Sequence, residues 1–301
     1  MFSKCVRWVL LALALSACTA VFPVPSATPQ PVTANASLAA TPSPAAPPSR
    51  PVSPDAPQRI DLADDLYLRQ IGDGAFVVTH TFPWGSNAVL VEMADRSWVL
   101  AGSTNTPEAM RVLLDWLESQ FGDVKITAIN TGYHVDNLGG NQALLAASIP
   151  VYGSDLTAEL IVERSEDVRR SMLDAIGDKQ SAAYQAQLET AYLPPDHVFK
   201  AADGLTLAFG GEEVQVIYPG PSQAPDKLAV YFPVRKLLFG SCTIIGMEKL
   251  GNTADADLQH WPEALRQLEM LAVDVVVPGH GARLDPGLIR HTLDLLSALP
   301  Y

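Results

Sequence analysis

Asn130-Thr-Gly-Tyr-His-Val-Asp-Asn-Leu-Gly-Gly-Asn141 is the stretch on which the fold turns. It follows the β-rich run Val124 to Ile129 and opens a new apolar segment of helical period, so it reads as a strand-to-helix loop. His134 and Asp136 stand two residues apart on that loop and are able to converge on one point. Two further candidates lie far downstream: Cys242 in Leu237-Leu-Phe-Gly-Ser-Cys242, and His280 in Val275-Val-Val-Pro-Gly-His280. Each is read as closing a short apolar strand at a glycine-containing turn. An Asp, a Cys and a His at the ends of separate strands make a three-ligand zinc site with its fourth position open to water. Catalytic zinc keeps such an opening, whereas structural zinc is closed by protein ligands.

Outward from this stretch, the chain divides into three parts. Residues 1–18 carry a basic start (Lys4, Arg7), an apolar run from Trp8 to Leu15, and Leu15-Ser-Ala-Cys18, which reads as a lipoprotein signal with Cys18 as the acylated residue. The apolar run is far shorter than the ~20 residues that span a bilayer. Thr19, where an inner-membrane lipoprotein usually has aspartate, points to the outer membrane of a bacterial envelope, with the protein facing the periplasm. Residues 19–57 hold eleven of the 24 prolines and no charge before Arg50, and are expected to form an extended tether rather than a core. Residues 58–301 have the length of one large α/β domain. The formal charge of -13 becomes -15 without Lys4 and Arg7, which argues against nucleic acid as a partner. Of three cysteines, Cys5 leaves with the signal and Cys18 takes lipid, so Cys242 is an unpaired thiol in an oxidising compartment. Metal ligation accounts for it better than burial as an inert hydrophobe.

Within the domain, Phe76–Thr79, Ala88–Glu92, Ser97–Leu100, residues 124–130 and Val151–Tyr152 read as strands. Thr106 caps a helix that begins at Pro107 and runs to about Gln120. A helix over 138–147 and a long charged helical stretch over 155–191 follow. Strands at 214–218, 228–232, 236–239 and 273–277 alternate with helices at 261–271 and 286–299. Strands and helices repeated in this order predict an αββα sandwich, two mixed β-sheets flanked by helices.

These segments resemble the metallo-β-lactamase family, and its single-zinc, carbapenem-selective subclass most of all. The resemblance rests on Val99-Leu-Ala-Gly-Ser-Thr-Asn-Thr-Pro107, the 130–141 stretch, Tyr218-Pro-Gly-Pro221, Tyr231-Phe-Pro233, Phe239-Gly-Ser-Cys242, Leu250-Gly-Asn252 and Pro278-Gly-His280. It implies that Asp136, Cys242 and His280 bind one zinc per chain, that His134 lines the water site, and that Asn252 lies near substrate. It also implies a second metal site in two-zinc relatives, whose ligands would fall at positions 132, 134 and 223. Here Gly132 and Gln223 stand at two of them, so that site is expected to be absent, and histidines at both positions are expected to rebuild it. A lysine that grips the substrate carboxylate in relatives falls near Ile245, with Lys249 as its substitute from further along the loop.

A zinc held by a carboxylate and a thiolate is a weakened Lewis acid, so a base is needed: His134, or Asp136 through its free oxygen. Gln223 is expected to donate to the substrate carbonyl, and Trp84 to cover the substrate from its loop. The 155–191 segment is placed either over the pocket or as a solvated surface helix. His80, His197, His260 and His291 are read as structural or surface residues. The expected activity is zinc-dependent opening of a β-lactam amide, with a carbapenem foremost, by a monomer anchored through lipid. The alternatives are a zinc hydrolase of another amide, ester or lactone, and a zinc-binding envelope lipoprotein without turnover.

Overall fold

A computed structural model describes residues 58–299. The signal segment, Cys18 and the tether expected over 19–57 lie outside the described residues. Two sheets form the centre. The first has eight strands in sequence order: β1 (Gln58–Ala63), β2 (Leu66–Gly72), β3 (Ala75–His80), β4 (Ser86–Glu92), β5 (Trp98–Ala101), β6 (Ile126–Ile129), β7 (Val151–Ser154) and β8 (His197–Phe199). It is antiparallel up to β5 and parallel from β5 to β8. The second has five strands in the order β13-β12-β11-β10-β9: β9 (Leu205–Phe209), β10 (Glu212–Ile217), β11 (Ala229–Phe232), β12 (Leu237–Ile245) and β13 (Val275–His280). Only its β12–β13 pair is parallel.

The two-residue period of the strands sorts the apolar residues into layers. Val77, Val89, Val91, Val99 and Ile129 of the first sheet meet Val214, Val230, Phe232, Phe239 and Val277 of the second. Their neighbours Phe76, Val78, Leu90, Trp98 and Leu100 point the other way, against Met110, Leu113 and Leu117 of α1 (Pro107–Phe121). Leu238 and Val276 likewise face outward, onto Trp261 and Leu265 of α6 (Trp261–Glu269) and Leu288 of α7 (Gly287–Ser297). The layers are therefore helix, sheet, sheet, helix, as the sequence predicts. Burial on both faces explains why β3, β4 and β12 are buried at every position and carry the apolar runs Ala75–Val78, Ala88–Val91 and Leu237–Phe239. No helix among the described residues is long and apolar enough to cross a membrane.

A local signal acts as predicted at the start of α1, and a second helix start not singled out in the sequence uses the same device. Thr106 caps α1 by accepting from the Ala109 amide at 3.2 Å, and Ser154 caps α4 (Asp155–Ile176) by accepting from Thr157. Other expectations are corrected. The helix read over 138–147 is two short pieces, α2 (Val135–Leu138) and α3 (Asn141–Ala146), broken at Gly139-Gly140. A Cβ on Gly139 would lie 2.5 Å from the Asn105 carbonyl oxygen, so this approach admits only glycine. The 155–191 stretch likewise divides into α4 and α5 (Ala182–Glu189), separated at Gly177 with φ 71°. Cys242 does not close a strand ending at Phe239; it lies inside the nine-residue β12.

Candidate metal centre

Asp136 of α2, Cys242 of β12 and His280 at the end of β13 meet at one place. Their donor atoms all lie within 4.8 Å of one another. Cys242 Sγ is 3.2 Å from Asp136 Oδ2 and 3.5 Å from His280 Nε2, and His280 Nε2 is 3.0 Å from Asp136 Oδ2. The donors of a tetrahedral zinc with these atom types would stand roughly 3.3–3.6 Å apart, so the set fits such an ion with little adjustment.

Each ligand is held by its own local device. Asp136 rides on α2, whose approach is fixed by the fully buried Asn130. Asn130 Nδ2 donates to the Asn137 carbonyl at 3.0 Å and to Asn141 Oδ1 at 2.9 Å, and Asn141 Nδ2 donates back at 2.7 Å. Cys242 is aimed by a bulge in β12: the register against β13 shifts on either side of Ser241, whose φ is 49°. Ser241 Oγ is secured by donating to Asn137 Oδ1 at 2.6 Å, and Thr131 Oγ1 donates to the same oxygen at 2.7 Å. His280 is clamped by Asn87, whose Nδ2 donates to the carbonyls of Pro278 and Gly281 at 3.0 and 2.8 Å. The Gly85 carbonyl, 2.7 Å from His280 Nδ1, accepts the hydrogen of that nitrogen and leaves Nε2 for the metal. Replacing Asn130 with alanine strands these buried partners; we expect a loss of about 2–4 kcal/mol of stability, read from the urea midpoint, together with weaker zinc binding.

The electrostatics follow from this crowding. Burial alone raises the Asp136 carboxyl, but the hydrogen bond and charge of His280, helped by Lys227 and His134, outweigh it and hold the group ionised well below the usual range. Burial pushes the His280 imidazole down, and the charge of Cys242 with the Asp136 carboxylate drives it well above its usual value. A cation is thus favoured between these groups.

The centre opens into a cleft of about 490 Å³ lined by Trp84, Gln223, Ile245, Asn252 and the His134 side, and roofed by Asp167, Val168 and Ser171 of α4. Of the two placements read for the 155–191 stretch, α4 therefore takes the one over the pocket. Val168 and Met172 pack on Tyr133, Val135 and Leu138, and Trp84 packs against the same cluster. Lys249 is exposed and is not part of the cleft wall. Gln223 has one hydrogen committed: its Nε2 donates to the Asn252 carbonyl at 3.1 Å, while its Oε1 is buried without a partner. Asn252 spends its own Oδ1 on the Ala254 amide at 3.0 Å. Among the histidines set aside, His80 is buried and accepts from the Asn105 amide at 3.0 Å, His197 and His260 bond to nearby aspartates at the surface, and His291 Nε2 lies 2.8 Å from the Met247 carbonyl.

Two groups that sequence reasoning missed are central here. Asp255 lies in the cleft wall and accepts from Tyr133 Oη at 2.7 Å, His134 Nε2 at 3.0 Å and Arg164 at 3.5 Å. An ionised carboxylate can only accept, so His134 carries its hydrogen on Nε2 and Nδ1 is left as an acceptor. Lys227 is fully buried behind Asp136 and Gly132. A polar residue five beyond Leu250 and a lysine in a Pro-Asp-Lys turn carry no signal that singles them out in one sequence.

A buried Asp/Cys/His triad at the mouth of a cleft, between two sheets and their helices, defines a metal-dependent hydrolase. Residues 81–280 match the model of the metallo-β-lactamase superfamily, and the chain belongs to that family, whose members bind zinc. It is 28% identical over 237 residues to a type 2 metallo-β-lactamase of Bacillus sp. (strain 170), covering 76% of this chain and 81% of that one. It is also 28% identical to a type 2 enzyme of Pseudomonas aeruginosa, covering 76% and 83%. Among solved structures, a metallo-β-lactamase from Pontibacter korlensis superposes with a TM-score of 0.60 at 29% identity, covering 81% of this chain and all of that one.

Proposed function

We propose that the chain is a single-zinc hydrolase that opens the amide of a β-lactam ring, a carbapenem among the substrates. The convergence of Asp136, Cys242 and His280 at the cleft carries the reading. Bound there, zinc supplies an electrophile that polarises water and stabilises negative charge on the leaving nitrogen. The remaining work belongs to the side chains. His134, locked through Nε2 by Asp255, presents Nδ1 to accept a proton from the attacking water, and Asp136 offers its second oxygen as the alternative. The second hydrogen of Gln223 Nε2 is available to the substrate carbonyl. Trp84 and the α4 residues Val168 and Ser171 exclude solvent from the cleft. The lipid-anchored, periplasm-facing placement read from Leu15 to Cys18 belongs to the same proposal.

One observation favours a second reading, a zinc hydrolase of an uncharged amide, ester or lactone. Ile245 stands where a carboxylate-gripping lysine is expected, and no Lys or Arg lines the cleft among the described residues, whereas Asp167 and Asp255 do. Zinc content measured together with turnover of a penicillin, a cephalosporin, a carbapenem and an uncharged lactone separates the two. One zinc with carbapenem turnover is the expected result. One zinc with lactone turnover alone moves the assignment to the second reading, and purified protein that takes up no zinc overturns both.

A further inference from the structure

Lys227 is fully buried, and its Nζ has no hydrogen-bond or ion-pair partner among the described residues. Burying an ammonium is costly unless something compensates it, so a charge placed this deliberately calls for a function. Its surroundings supply one. A Cβ built on Gly132 would lie 2.8 Å from Lys227 Nζ, 3.0 Å from Lys227 Cδ and 3.3 Å from Asp226 Oδ1. The Leu228 amide donates to the Thr131 carbonyl at 3.0 Å and fixes the two segments side by side. The space that any side chain at position 132 would need is thus taken by the end of a lysine. Asp226 is equally buried; Thr157 Oγ1 donates to its Oδ2 at 2.8 Å, and its Oδ1 is without a partner beside the same point. On the cleft side of this loop, Gln223 Oε1 is a second buried acceptor without a donor.

We infer that Lys227 is the resident cation of the metal centre: its ammonium fills the volume left by glycine at 132 and, as a fixed positive charge, limits the centre to one divalent ion. The inference rests on the reading that Asp136, Cys242 and His280 hold that ion. The charge balance is simple. A carboxylate and a thiolate neutralise one divalent ion, and the Asp226 carboxylate, beside the same point though not in contact with Nζ, offsets the charge of Lys227 at longer range. A second divalent ion beside them would leave two positive charges uncompensated in a site sheltered from water, where like charges repel strongly. The ammonium also bears on Asp136 from behind and supports its ionised form. Lysine at 227 and glycine at 132 are therefore one device. Histidines placed at 132 and 223 alone do not rebuild a second site, because the imidazole at 132 would have to displace the ammonium.

Metal content of the folded full chain, with Zn²⁺ as the probe and native mass spectrometry as the readout, tests this. The unaltered protein and the Gly132→His, Gln223→His pair are both expected to bind one zinc. Adding Lys227→Asn to the pair is expected to raise the count to two. Two zincs in the unaltered protein, two in the pair with Lys227 in place, or one in a folded triple variant overturns the inference. No zinc in the unaltered protein instead defeats the reading of the centre itself. The φ of 156° at Gly132 strains any side chain there, so a second measurement is independent of the triple variant. In a Gly132→Ala, Lys227→Ala cycle followed by urea unfolding, relief of the contact is expected to make the combined effect on the folding constant about tenfold milder than the product of the single effects. Equal values overturn the inference.

Discussion

Cys242→Ala is expected to leave a folded protein that binds zinc roughly a hundredfold or more weakly and has no measurable hydrolysis. Zinc held by four protein ligands is worth ~10–16 kcal/mol, so each ligand contributes about 3 kcal/mol or more, and here the protein offers only three. The loss of the thiolate also changes the remaining pair, because its charge is a main cause of the raised His280 imidazole. The fold itself should tolerate the change. Sγ is buried, but outside the triad it meets only a 3.7 Å approach of Asn137 Nδ2 among the described residues, and Asn137 keeps its bonds to Thr131 and Ser241. Zinc titration with a chromophoric chelator and a urea curve on the same sample separate the two effects. Full zinc content with full turnover in this variant would remove Cys242 from the centre.

The layered fold was legible because the strands that build it are buried on both faces. Val275 to Val277 and Ala88 to Val91 have no polar interruption, and Pro278-Gly279 marks the end of the first. Strands β1, β2, β8 and β9 were not found, for the opposite reason: β2 sets half-buried residues, Arg69 and Gln70 among them, between its buried ones. Gln-Arg-Ile-Asp-Leu-Ala of β1 alternates exposed and half-buried residues at an edge, β8 has three residues, and β9 alternates half-buried with exposed residues beside a turn. Glycine misled in one place. Gly240 reads as a strand stop, yet β12 continues to Ile245, because the bulge at Ser241 absorbs the irregularity while pairing with β13 resumes. The three residues that converge were legible since each lies in a short segment with a glycine close by.

What surrounds the ligands was not legible, and the reason is distance along the chain. Gly132 read as a missing ligand; only the fold shows that Lys227, 95 residues later, stands in its place. Gln223 read as a free donor, but the loop that carries Asn252 folds onto it and takes one hydrogen. In both cases one residue's chemistry is decided by a neighbour from another element, which periodicity and spacing do not report.

Asp255→Asn is the second large effect we expect: a fall of about 10–100-fold in kcat, little change in KM, and unchanged zinc content. Asp255 touches no metal ligand, yet its carboxylate gathers Tyr133, His134 and Arg164 around one charge. An amide of the same shape can offer a hydrogen to His134 Nε2, which favours the tautomer with its proton on Nδ1 and takes away the acceptor that the proposed base requires. The pH dependence of stability gives an independent check. The His134 hydrogen bond lowers the Asp255 carboxyl to about 2 against the opposing effect of burial, with Tyr133 assisting. A depressed carboxyl contributes stability that is present above its unfolded value near ~3.9 and is lost as pH falls through the folded value. Urea midpoints of the two proteins should therefore differ by a constant amount above about pH 5 and converge as pH approaches about 2. An Asn variant with undiminished kcat would make Asp255 a structural brace for Tyr133 and Arg164 and leave His134 positioned without it.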